Sequence, residues 1–124
     1  MEIRKSAEDY LEMMLMLQEK HGYIRSIDIA EELGVKKPSV SYATKRLKQN
    51  GYITMDADNL IRLTESGMEI ASRMYERHKL LTDVLITLGV EADIARADAC
   101  KIEHDLSQES FQAIQKHVGK RDSK

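Results

Sequence analysis

Cys100, Glu103 and His104 have the types and spacing of metal ligands. On a helix, side chains at i, i+3 and i+4 leave from one face. A thiolate, a carboxylate and an imidazole would then converge, and these groups hold divalent transition metals. A second pair of acids, Asp9 and Glu12, lies three residues apart near the N-terminus, and His78 sits mid-way along a long helical pattern. Each group also has a plainer explanation. Acids near a helix start suit the helix dipole, and a lone histidine or a charged helical face is commonly a packed or solvated feature. The case for chemistry is that these potential ligands fall on three helical segments, on faces expected to meet. No glycine-rich phosphate loop, Ser-His-Asp order or His-Glu-x-x-His helix competes with them. A metal-dependent hydrolase with Glu103 as base is the enzymatic alternative, but nothing in the chain marks a substrate cleft, so a non-enzyme without a small-molecule substrate is expected.

The elements that must position these residues can be read in order. Ser6 is placed to cap a first helix, with Asp9 completing a capping-box-like pair, and Tyr10, Met13, Met14 and Leu17 recur at helical spacing to about Lys20. Ser26 is expected to cap a short helix with Ile27, Ala30 and Leu33 inward, ended by Gly34. Pro38 suits the start of the next helix, whose stripe is Val40, Ala43, Thr44 and Leu47 and which Asn50-Gly51 closes. Helix, tight turn, helix is the helix-turn-helix unit.

Charge supports a DNA-reading role for it. Between Gly22 and Gly51 six Lys/Arg face three acids, a local net of 6 − 3 = +3. The expected DNA-contacting residues are Arg25, Lys36, Lys37, Pro38, Ser39, Ser41, Tyr42, Lys45 and Arg46, at the start and along the exposed turns of the second helix. A solvated charged helix in a protein-binding module is the competing explanation. Residues 52–55 and 60–63 are β-prone around the turn residues Asp56 to Asn59, the pattern of a wing, with Arg62 able to reach a phosphate. Thr64 then caps a long helix through Met68, Ala71, Met74 (or Tyr75), His78, Leu81, Leu85 and Leu88 to Gly89. A helix over Glu91–Asp105 follows, with Ile94, Ala97 (or Ala99) and Ile102 as its apolar side. Ser107 caps a last helix whose stripe, Phe111, Ile114 and Val118, is a candidate self-association face, and a charged tail runs from Gly119. The expected fold is mostly α: a winged helix-turn-helix over residues 1–72, then a helical metal-binding and dimerisation region over 73–124.

Bulk properties fit this. The chain has 124 residues, 42% apolar and 32% charged, as a folded soluble protein does. Its net charge of −2 and pI near 6.1 confine any nucleic-acid surface to a local patch. A single cysteine cannot form an internal disulfide and suits a reducing cytoplasm. No signal-peptide pattern follows Met1, and the longest apolar run, Met13 to Leu17, is far below the ~20 residues that span a bilayer. A cytoplasmic protein with no membrane partner is expected.

These residues carry a resemblance. Residues 6–12 (Ser6 to Glu12), Asp28-Ile29-Ala30-Glu31 with Leu33-Gly34-Val35, and Pro38-Ser39-Val40 match a known pattern in type and spacing. So do Gly51-Tyr52, Leu63-Thr64 with Gly67, Arg77-His78 with Leu80-Leu81, and Glu103-His104 with Leu106-Ser107. The chain resembles the metalloregulators typified by the diphtheria toxin repressor and the manganese transport regulator. That resemblance implies a homodimer that binds a pseudo-palindromic double-stranded operator when loaded with metal and represses metal-uptake genes. It implies Asp9, Glu12, His78, Glu103 and His104 as ligands in the manganese-type pattern. Cys100 stands where that branch has glutamate; it resembles the iron-type branch, which has methionine at the position of Asp9. The implied site is a hybrid for Mn2+ or Fe2+, with Zn2+ or Co2+ able to bind in vitro. Thr82 and Arg96 occupy the positions of two ancillary-site ligands of the iron type, so that site is not expected, and neither is an SH3-like third domain. A winged-helix regulator indifferent to metal is the remaining alternative.

Overall fold

In a computed structural model, residues 5–122 are described. The order is α1 (Lys5–His21), α2 (Ser26–Leu33), α3 (Lys37–Gln49), β1 (Ile53–Met55), β2 (Ile61–Leu63), α4 (Glu65–Thr87), α5 (Ala92–Asp105) and α6 (Gln108–Asp122). The chain is mostly helical with a two-stranded wing, as the sequence predicts. It divides into two compact units within α4, Met1–Tyr75 and Glu76–Lys124.

The first unit is built on one apolar cluster. Leu11, Met14, Leu15 and Leu17 of α1 pack with Ile24, Ile29, Val40, Leu47, Ile53, Ile61 and Ala71. Gly34 ends α2 in the left-handed conformation (φ 67°), its N–H donating to the Ala30 carbonyl. This lets the chain turn into α3 without the Cβ clash that other residues meet there. Val40, Thr44 and Leu47 form the buried stripe of α3. Its opposite face, with Ser39, Ser41, Tyr42, Lys45 and Arg46, is therefore outward.

The wing pairs Ile53 with Leu63, Thr54 with Arg62 and Met55 with Ile61 in antiparallel register. Asp56 makes its turn, with Oδ1 accepting from the Asp58 and Leu60 N–H groups at 2.9 and 3.0 Å. Ile61 also donates its N–H to the Ile24 carbonyl at 2.9 Å, which fastens the wing to the segment between α1 and α2. Thr64 caps α4 as expected: its Oγ1 accepts from the Gly67 N–H at 3.2 Å and donates to the Gly51 carbonyl at 2.7 Å.

Several local expectations are corrected. Ser6 lies inside α1, and Ser26 is the first helical residue of α2, with Arg25 at the cap position. Ile29 faces the core in place of Ile27, which is exposed. On α5 the buried residues are Ala95, Ala99 and Glu103, whereas Ile94 is 53% and Ile102 37% exposed. The apolar pattern misplaces this face by one residue because the buried side includes a carboxylate, which hydrophobic spacing cannot register. Phe111, expected on a self-association stripe, is buried within its own unit. Leu88, expected to extend the inward stripe of α4, is exposed beyond the helix end. α6 continues to Asp122 rather than stopping at Gly119; residues 123–124 of the expected tail lie outside the described residues.

Gly67 is a position where sequence pattern and packing meet closely. A Cβ there would lie 2.0 Å from the Tyr52 carbonyl oxygen, which is backbone and cannot swing away. Gly67→Ala is expected to destabilise the first unit by about 1–3 kcal/mol or more, read as a lowered denaturant midpoint. An unchanged midpoint would show that the start of α4 does not depend on this close approach.

Candidate metal centre and DNA-reading surface

In the second unit, α4 and α5 bring titratable side chains together. His78 Nδ1 lies 3.1 Å from Glu103 Oε2, and His104 Nε2 lies 3.4 Å from Glu103 Oε1. The Glu103 side chain is 0% exposed and that of His104 1%. A carboxylate removed from water is costly unless a cation or donors compensate it. A buried carboxylate beside an imidazole on the next residue, with a second imidazole in hydrogen-bond contact with that carboxylate, supplies the ligand types that a divalent transition ion takes. Among the sequence-predicted ligands, His78, Glu103 and His104 are thus brought together here.

Cys100 lies one turn earlier on α5, on an exposed side of the helix. In the first unit, Asp9 and Glu12 lie one turn apart on α1; Asp9 is half-buried and Glu12 buried. Tyr75, on the part of α4 belonging to that unit, has its phenol pKa raised by burial and by the negative charges of Glu19 and Glu12. Thr82 is buried, and Arg96 is paired with Asp93 at the surface.

Arg77 is the residue that sequence reasoning passed over. It was legible as part of a family pattern, but its role comes from packing. It is 5% exposed, and its guanidinium donates to the Glu103 and Leu106 carbonyls and to Gln108 Oε1. Spacing did hold a signal: Arg77 falls between Met74 and Leu81, both buried, at the i+3 and i+7 positions of an inward stripe.

Of the residues expected to contact DNA, Lys36, Lys37, Pro38, Ser39, Ser41, Tyr42, Lys45 and Arg46 are all exposed at the start and along one side of α3. Arg46 lies over the Tyr42 ring, 5.7 Å from its centroid, and donates to the Tyr42 hydroxyl at 3.2 Å. Arg25 is engaged differently. Its Nε and Nη2 donate to Asp28 at 3.0 and 3.3 Å, a bidentate pair across the first turn of α2. The guanidinium holds the Asp28 carboxyl below the usual carboxylate range.

Relatives give this arrangement its context. The family model "Iron dependent repressor, N-terminal DNA binding domain" matches residues 2–59, and "Iron dependent repressor, metal binding and dimerisation domain" matches residues 64–124. The transcriptional regulator MntR of Salmonella typhimurium is 38% identical over 111 residues, 90% of this chain and 71% of its own. Among solved structures, the manganese regulator SloR superposes with a TM-score of 0.81 at 30% identity, over 96% of this chain and 55% of that one. A manganese-dependent transcriptional repressor in complex with manganese gives a TM-score of 0.78 at 30% identity, over 91% of this chain and 52% of that one. The chain thus spans about half the length of these solved relatives. It belongs to the iron-dependent repressor family of metal-dependent transcriptional regulators, the group that includes the MntR proteins, and carries that family's DNA-binding domain followed by its metal-binding and dimerisation domain. Its place in a family of regulators sets aside the hydrolase alternative.

The Arg25–Asp28 pair has a pH consequence. A carboxyl whose folded pKa lies below its ordinary 3.8 stabilises the fold above that value, and the contribution is lost as pH falls through the lower folded value. Asp28→Asn should therefore lower the melting temperature slightly at neutral pH, and the difference from wild type should vanish in strong acid. A difference that persists below pH ~2 would show that the pair is not its source.

Proposed function

We propose that this protein is a metal-activated repressor of metal-uptake genes, acting as a cytoplasmic homodimer on a pseudo-palindromic operator. The observation that carries the reading is the fully buried Glu103 carboxylate between His78 and His104, inside a domain matched to a metal-binding family. Asp9, Glu12, His78, Glu103 and His104 are the proposed ligands, joined by Cys100, with Mn2+ or Fe2+ as the activating ion. When bound, the ion supplies positive charge and directional bonds that compensate the carboxylates.

The residues do the rest. Asp9 and Glu12 ride on α1, which packs against α2 and α3, so ligation through them ties the reading head to the dimerisation region. Ser39, Ser41 and Tyr42 then face base edges, while Lys36, Lys37, Lys45, Arg46 and Pro38 line the backbone contact, with Arg25 steadying the entry to α2. Two such heads enter major grooves about one helical turn, ~34 Å, or a multiple of it apart. Metal and operator must favour each other by the same coupling free energy, typically ~1–3 kcal/mol. Ligand groups must be deprotonated to bind, so activation should weaken in acid. The exposed Ile86, Leu88, Ile94 and Ile102 supply apolar surface for the second protomer.

Operator binding should rise with Mn2+ or Fe2+ and fall with chelator, by fluorescence anisotropy; affinity indifferent to metal would sink the proposal and favour a metal-independent regulator. Carboxylate favours hard Mn2+, whereas thiolate favours Fe2+, Zn2+ or Co2+. Cys100→Glu should accordingly shift the order of activating metals toward Mn2+, and an unchanged order would remove Cys100 from the ligand set. Lys37→Ala should weaken binding about equally across DNA sequences and reduce the slope of log K against log salt by about 1. A sequence-dependent loss would assign Lys37 to base reading.

A further inference from the structure

α5 ends without a glycine. Leu106 occupies its C-cap position in an extended conformation (φ −86°, ψ 130°). The last carbonyls of a helix need other donors, and a cation there is favoured by the helix dipole. Arg77 of α4 meets both needs. Its Nη1 donates to the Glu103 carbonyl at 3.0 Å and to the Leu106 carbonyl at 2.6 Å, and its Nη2 donates to Gln108 Oε1 at 2.7 Å. The guanidinium carbon sits 5.2 Å from the centroid of the Phe111 ring. One side chain therefore joins the end of α5, the start of α6 and the underlying aromatic.

The turn held in this way is the one that carries Glu103 and His104. The next residue on α4, His78, contacts the Glu103 carboxylate itself at 3.1 Å. Adjacent residues of α4 thus fix the main chain and the side chain of the same glutamate. For packing alone an apolar residue would serve here at lower desolvation cost than a buried arginine. What an apolar residue lacks is the planar fork that reaches several acceptors in fixed directions. A lysine retains the charge but offers a single nitrogen.

We propose that Arg77 is a positioning residue for metal binding, setting the α5 terminus so that Glu103 and His104 are aimed at the ion before it arrives. This rests on the metal-dependent reading above. Groups that orient ligands typically change metal affinity by about 10- to 100-fold when altered.

The test measures Mn2+ binding directly, by the loss of the free-ion electron paramagnetic resonance signal, with no DNA present and below the melting temperature of every variant. Arg77→Lys is expected to lose about tenfold or more in Mn2+ affinity. Gln108→Ala alters an exposed residue and removes one of the three acceptors, so it should fold and lose a smaller amount, about threefold or more. Leu81→Ala truncates the core of the same unit; it should lower the melting temperature and leave Mn2+ affinity unchanged. Should Arg77→Lys fail to fold, Gln108→Ala against Leu81→Ala decides. Wild-type Mn2+ affinity in both Arg77→Lys and Gln108→Ala overturns the inference alone, as does an equal loss in Leu81→Ala. A wild-type protein that takes up neither Mn2+ nor, without oxygen, Fe2+ overturns the metal-dependent reading and this inference with it.

Discussion

A carboxylate with no solvent exposure governs the second unit. Removing Glu103 from water is unfavourable unless charge and hydrogen-bonding groups come to it. His78 and His104 lie against its oxygens, and Arg77 holds the backbone beneath it. The rest of α5 conforms to this demand. Ala95 and Ala99, eight and four residues earlier, share the buried side with the glutamate. The larger Ile94 and Ile102 are turned outward as a result, giving the single chain an apolar surface in the domain its family uses for dimerisation. One face of α5 thus buries the carboxylate while the adjacent face exposes two isoleucines.

The first unit obeys a different constraint, the filling of an apolar core by short elements. Leu11, Met14 and Leu17 give α1 a continuous inward stripe, and α2, α3 and the wing close over it. The roll of α3 is set from inside by Val40, Thr44 and Leu47, so the side chains that can meet DNA are those left on the other side. The wing is too short to be stable alone. It persists because Ile53 and Ile61 enter the core and because Ile24 pairs with Ile61. Asp9 and Glu12 belong to the helix at the centre of this core.

Much of this was legible in the chain. Periodicity gives the helices, Gly34 and Asn50-Gly51 give the stops, and the Asp56–Asn59 turn gives the wing, because local backbone preferences and burial agree there. Where they disagree, pattern reading slips. Ile27 and Ile94 were expected inside because apolar residues usually are. Both are outside, since the buried faces of α2 and α5 are set by what neighbouring elements can accept. Phe111 was expected to stay uncovered, yet it lies beneath the Arg77 guanidinium.

By itself, then, the sequence determined the element order, the helix-turn-helix with its wing and the basic character of the segment around α3. These depend on contacts a few residues apart, or on motif spacing that survives in the order of residues. Only the tertiary structure decided which face of α5 is buried, that the charge of Arg77 is spent on the end of another helix, and that Gly67 must lack a side chain beneath the Tyr52 carbonyl. Each of those is set by atoms far apart in the chain, whose mutual distance no local preference encodes.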